Sequence, residues 1–233
     1  MNENLQLRLD ELTDNPSARV PVCLALDTSS SMAGAKIQEL NAGIQAFYSA
    51  VRSDEMAACS AEIAVVNFGE VAQQVLDFAG IERQRIPQFS AYGGTPMGAA
   101  VSLSLDMLDQ AKRVYSQMGV DYFQPWLVLM TDGEPTDDIN AAAQRCRELI
   151  ERRKLTVFPV AIGRDANLAT LAAFAPNLPA LRIQSTDFGR FFAWLAKSIN
   201  SASLSNPGDK AAASLGETAF RKVTVDWQTG FNR

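Results

Sequence analysis

The junction VPVCLAL then DTSSS, Val20 to Leu26 followed by Asp27 to Ser31, decides the fold. A run this apolar and this short suits a central parallel strand buried on both faces. It stops at an aspartate and small polar residues, and a helical pattern follows from Lys36 to Val51. The same arrangement recurs downstream, where Trp126 to Thr131 is apolar, Asp132-Gly133 closes it, and a helix is expected over 139–153. Two such strand-loop-helix units predict an open parallel sheet.

The rest of the chain extends this alternation. Glu62 to Phe68 and Ala72 to Phe78 flank Gly69-Glu70, and read as two strands joined by a tight turn, the second being an antiparallel edge strand. Gly93-Gly94-Thr95-Pro96 precedes a helix over 97–117, with Pro96 suited to its first turn. A strand over 155–162, a short helix over 168–175, a strand over 181–183 and a helix over 187–199 follow. The fold class is therefore α/β: a doubly wound, mostly parallel central sheet with helices on both faces. Residues 1–18 form an N-terminal extension, 19–200 the domain, and 201–233 a linker and tail whose composition shifts at its start to Ser, Ala, Asn, Pro and Gly. Val223 to Trp227 reads as an added edge strand or a partner-binding peptide, and Trp227 as an anchor for the tail or for a partner.

Composition removes several functions. The 233 residues carry a net charge of −5, which speaks against binding nucleic acid or an anionic membrane surface. Met1 to Leu12 has neither the basic head nor the apolar core of a secretory signal. Cys23, Cys59 and Cys146 are scattered in apolar or helical patterns and read as reduced core thiols of a cytoplasmic protein. The chain has no histidine at all. Imidazole bases, Ser-His-Asp systems and most zinc sites are therefore absent, and any chemistry must run on oxygens.

Oxygens collect at the predicted strand ends. Asp27, Ser29 and Ser31 follow the first strand, Asp132 follows its counterpart, and Thr95 lies in a glycine-rich loop before a helix. If the two strands are neighbours, these side chains can converge. A small hard cation takes about six oxygens at roughly 2.0–2.1 Å, and Mg²⁺ keeps several of them as water. Two carboxylates just neutralise a divalent ion, and neutral hydroxyls leave it electrophilic towards an incoming carboxylate. Asp137 and Asp138 are expected to cap the helix that begins near Ile139.

Asp27-x-Ser29-x-Ser31, the distant Thr95 in Gly-Gly-Thr-Pro-Met-Gly, and Asp132 in Thr-Asp-Gly together resemble the metal-ion-dependent adhesion site of the von Willebrand factor A (VWA) superfamily, over roughly Arg19 to Ile199. The resemblance implies a Rossmann-like VWA fold. It implies that Ser29, Ser31 and Thr95 bind the ion, and that Asp27 and Asp132 act directly or through water. It further implies that an Asp or Glu of a partner protein completes the shell. The ion is expected to be Mg²⁺, with Mn²⁺ or Ca²⁺ as alternatives. Ser30 departs from the family pattern, which commonly has glycine there. The wording from Ala18 to Leu24, and from Thr131 to Asp137, is similar to the bacterial TerY type associated with tellurite resistance. That similarity implies a cytoplasmic setting and a kinase or phosphatase-like partner. Two other readings remain at this level: a Mg²⁺-dependent phosphohydrolase with Asp27 as nucleophile, and a scaffold whose metal is purely structural.

Overall fold

The computed structural model describes residues 3–184, 187–205 and 217–224. In chain order the elements are α1 (Glu3–Asp14), β1 (Val20–Asp27), α2 (Ala35–Arg52), α3 (Glu55–Ser60), β2 (Ala61–Phe68) and β3 (Ala72–Gly80). They continue as α4 (Met97–Met118), β4 (Trp126–Thr131), α5 (Asn140–Glu151), β5 (Thr156–Ile162), α6 (Leu168–Phe174), β6 (Leu181–Ile183) and α7 (Phe188–Ser203). The strands form one sheet in the order β3-β2-β1-β4-β5-β6. All neighbours are parallel except β2 and β3, which form an antiparallel hairpin at one edge. The expected fold class therefore holds.

Alternation along β1 explains how both faces are covered. Val20, Val22, Leu24 and Leu26 point to one side and pack with Leu40, Ile44 and Phe47 of α2 and with Phe188, Phe191 and Phe192 of α7. The smaller Cys23 and Ala25 point the other way, towards Val101, Leu105 and Leu108 of α4. Every residue of β1, β2, β4 and β5 is buried, as strands sandwiched between helical layers must be. Cys23 and Cys146 lie in this core, where burial pushes each thiol up to about 12. Cys59 does not: it is exposed on α3, a short helix that the apolar pattern around it did not reveal. Among the described residues no helix is long and apolar enough to cross a membrane.

The helical segments 3–14 and 217–224 both pack on the body of the protein. The N-terminal segment forms α1, with Leu12 buried beside Phe78 and Tyr115. Arg8 reaches under it to Glu62 at 2.7 Å, with both side chains almost wholly buried. Glu62 also accepts a hydrogen bond from the Tyr115 hydroxyl at 2.8 Å and has the Arg19 guanidinium at 3.6 Å. Residues 217–224 are helical, so Val223 and Thr224 do not belong to an edge strand as the sequence suggested. Phe220 and Thr224 are four residues apart on one helical face and both are buried. Phe220 packs against both Phe158 and Trp194, with ring centroids 5.1 and 5.5 Å away. Trp227, expected to anchor the tail, lies outside the described residues.

Removing one member of a buried ion pair strands the other charge in a poorly solvating interior. Arg8→Ala is expected to lower unfolding stability by about 3 kcal/mol, with part of the loss relieved by Arg19 and Tyr115. Urea denaturation checks it, and a loss under about 1 kcal/mol would mean that α1 contributes no electrostatic anchoring.

Candidate metal centre

β1 and β4 lie side by side and parallel, with Leu26 level with Met130. From β1 the chain proceeds to β2 on one side, and from β4 to β5 on the other. At such a reversal of strand order the loops part, leaving a crevice beyond the carboxyl ends of the two strands. Asp27 is the last residue of β1, and Asp132 follows the last residue of β4.

The loops bring the expected oxygens together. The Ser29 and Ser31 hydroxyls are 2.9 Å apart, and Ser31 Oγ donates to Asp132 Oδ1 at 2.6 Å across 101 residues of sequence. A Cβ added at Gly133 would lie 3.5 Å from Thr95 Oγ1 and 3.8 Å from Ser31 Oγ, so the threonine and serine oxygens flank one small space. Asp27 is set deeper. Its Oδ1 accepts from the Ser29 backbone N–H at 2.8 Å and its Oδ2 from the Thr131 hydroxyl at 2.5 Å. Asp27, Ser29, Thr95 and Asp132 are buried, whereas Ser31 is exposed and opens the cluster to solvent.

Two carboxylates in one buried pocket are electrostatically costly. Burial pushes the Asp27 carboxyl above its ordinary range and the nearby Asp132 charge adds to this, while hydrogen bonds from Ser29 and Thr131 oppose it. A cation is already drawn to the cluster: the Lys36 ammonium sits 2.5 Å from Asp132 Oδ2. The donor set fits a small hard cation, since it consists of carboxylate and hydroxyl oxygens around a glycine-lined space.

Several supports were not legible in the sequence. The Thr95 loop is tied to the Asp132 loop by Thr95 N–H to Thr136 Oγ1 at 3.0 Å and by Thr136 N–H to Thr95 O at 2.9 Å. Asp137 was expected to cap the helix after it, but it caps α4 instead, accepting from Gly98 N–H at 2.9 Å and Ala99 N–H at 2.8 Å. Asp138 does cap α5, accepting from Asn140 N–H at 2.9 Å. The division follows from proximity: β4 ends and α4 begins at the same rim, and Asp137 lies against the start of α4. Ser30 has its own use, since its hydroxyl and N–H both donate to the Gly93 carbonyl, at 3.0 and 3.1 Å. Gly93 is required there. It adopts φ +79°, and a Cβ would lie 2.3 Å from Glu70 N. Glu134 accepts from Asn167 Nδ2 at 2.7 Å and so braces the start of α6. Lys36 was missed altogether, because nothing in a helical charge pattern says what a lysine reaches back to touch.

A family model for the von Willebrand factor type A domain matches residues 22–192. No curated protein matches the chain. Among solved structures, a von Willebrand factor type A protein from Catenulispora acidiphila is 19% identical with a TM-score of 0.56, covering 78% of this chain and 43% of that one. Proximal thread matrix protein 1 from the mussel byssus, with a zinc-occupied MIDAS motif, is 14% identical with a TM-score of 0.53, covering 78% and 48%. The manganese-loaded Plasmodium vivax TRAP protein is 18% identical with a TM-score of 0.51, covering 75% and 73%. The chain thus spans less than half the length of the first two, and at these identities the likeness is one of fold.

Asp27 supplies a pH prediction. A carboxyl whose pKa is raised by folding holds its proton more tightly in the native state. Its contribution is present at low pH and is lost as pH rises through the folded value, above the ordinary carboxylate range. At pH 7 without metal, Asp27→Asn is therefore expected to raise the melting temperature by a few degrees and to flatten the pH dependence just above that range. Thermal melts in EDTA from pH 4 to 8 check this, and a lower melting temperature would contradict it.

Proposed function

Since the chain belongs to the von Willebrand factor type A domain family, we propose that it is a non-enzymatic, metal-dependent protein-binding module. In this reading Asp27, Ser29, Ser31, Thr95 and Asp132 hold one divalent cation, Mg²⁺ or alternatively Mn²⁺ or Ca²⁺. An Asp or Glu of a partner protein completes its shell. The observation that carries the proposal is the meeting of these oxygens, from three separate loops, in the crevice between β1 and β4. The bound ion would act as a Lewis acid towards the partner's carboxylate. The chain's own part is to supply two negative charges and three neutral oxygens, and to keep Ser31 at an open edge through which a ligand reaches the ion.

The alternative with Asp27 as a phosphoryl-accepting nucleophile fares worse. Both its oxygens already accept hydrogen bonds, and it is fully buried. Position 29, where an acid/base partner would stand, is a serine. The similarity to the TerY type supports a cytoplasmic setting and a kinase or phosphatase-like partner as the finer form of the proposal, and the free cysteines fit a reducing compartment.

Ligand binding to the folded state alone stabilises it by about 2.7 kcal/mol at a hundredfold excess over Kd, which for a chain of this size is about 5–10 °C. Mg²⁺ or Mn²⁺ is expected to raise the melting temperature on this scale, and Ser29→Ala and Asp132→Ala to abolish the shift while remaining folded. Absence of any shift with either ion, or capture of an identified partner undiminished by EDTA, would overturn the proposal.

A further inference from the structure

Lys36 is the second residue of α2, in a first turn that carries no acidic side chain and has no side-chain cap. A cation there opposes the positive end of the helix dipole, so helix stability gives no reason for it. Its side chain turns back instead. Cε passes beside Gly163, 3.9 Å from where a Cβ would stand, and Nζ reaches Asp132 Oδ2 at 2.5 Å and the Ser31 carbonyl at 3.3 Å. The pair differs from an ordinary surface salt bridge, because the Asp132 side chain is fully buried and its other oxygen is held by Ser31. Both atoms that Lys36 touches belong to residues of the oxygen cluster.

We propose that Lys36 is a built-in competitor for Asp132 that lowers the site's affinity for a divalent cation. The inference rests on the metal-binding reading above. Asp27 and Asp132 together offer two negative charges, and Lys36 satisfies one of them before any ion arrives. A divalent ion must then either displace the ammonium from Asp132 or bind beside a fixed positive charge. Both routes weaken binding relative to a site without the lysine. Lys36 therefore acts as a threshold: the site loads only above a cation concentration set by the strength of this ion pair.

The test is isothermal titration of Mg²⁺ alone and Mn²⁺ alone into the full chain as wild type, Lys36→Met, Lys36→Gln, Lys36→Arg and Asp132→Ala, with melts in EDTA to verify folding. Lys36→Met and Lys36→Gln are expected to bind on the order of tenfold more tightly than wild type at low ionic strength, with the gain shrinking as salt is raised. Lys36→Arg, which keeps the charge, is expected to match wild type. Equal or weaker binding by both neutral variants, while wild type binds and Asp132→Ala does not, overturns the role of Lys36 and leaves the metal site standing. If neither wild type nor the neutral variants take up either ion, both inferences fall together.

Discussion

The parallel pairing of β1 with β4 is the constraint on which the rest of the molecule depends. Hydrogen bonding between two strands that are distant in sequence brings Asp27 and Asp132 to one edge of the sheet, with Leu26 and Met130 in register. The chain then departs in opposite directions, so no connecting loop covers the gap. A crevice with a carboxylate on either side follows from topology before any side chain chooses a rotamer. The helical layers above and below exist because β1, β2, β4 and β5 are apolar on both faces and must be covered.

Holding that crevice open requires bracing, because two acidic groups in a buried place repel one another. The bracing is supplied by short polar bonds between loops. Thr131 and Ser29 fix both oxygens of Asp27, and Ser31 and Lys36 fix both oxygens of Asp132. Thr136 and Asp137 bind the Thr95 loop and the start of α4 to the loop after Asp132, so the third loop is held against it. Ser30 bonds to the Gly93 carbonyl, and Gly93 lies so close to Glu70 that no residue with a Cβ fits at position 93. A cation would enter an arrangement whose geometry is already set, and preorganisation of this kind reduces the ordering cost of binding.

The opposite pole of the sheet is organised by a different polar cluster. Glu62 at the start of β2 gathers Arg8, Arg19 and Tyr115 and so fastens α1 across the edge of the sheet. Aromatic packing performs the same task for residues 217–224, where Phe220 packs against Phe158 and Trp194. Residues 3–14 and 217–224 are thereby fastened to the body of the sheet.

Reading from residues alone recovers what periodicity and local chemistry carry. Short apolar runs ending at Asp27 and Asp132, the helical spacing of Val101, Leu105 and Leu108, and the turn at Gly69-Glu70 are local signals, and they yield the sheet, its edge hairpin and the candidate oxygens. The absence of histidine likewise restricts the chemistry without any structure. Tertiary structure alone decides which helix Asp137 caps, that Val223 is helical, that Cys59 is exposed, and that Lys36 reaches Asp132. Each of these depends on contacts between segments far apart in the chain. A residue's pattern with its neighbours fixes its own backbone, but the partner of its side chain is fixed only when the strands have paired and the loops have met.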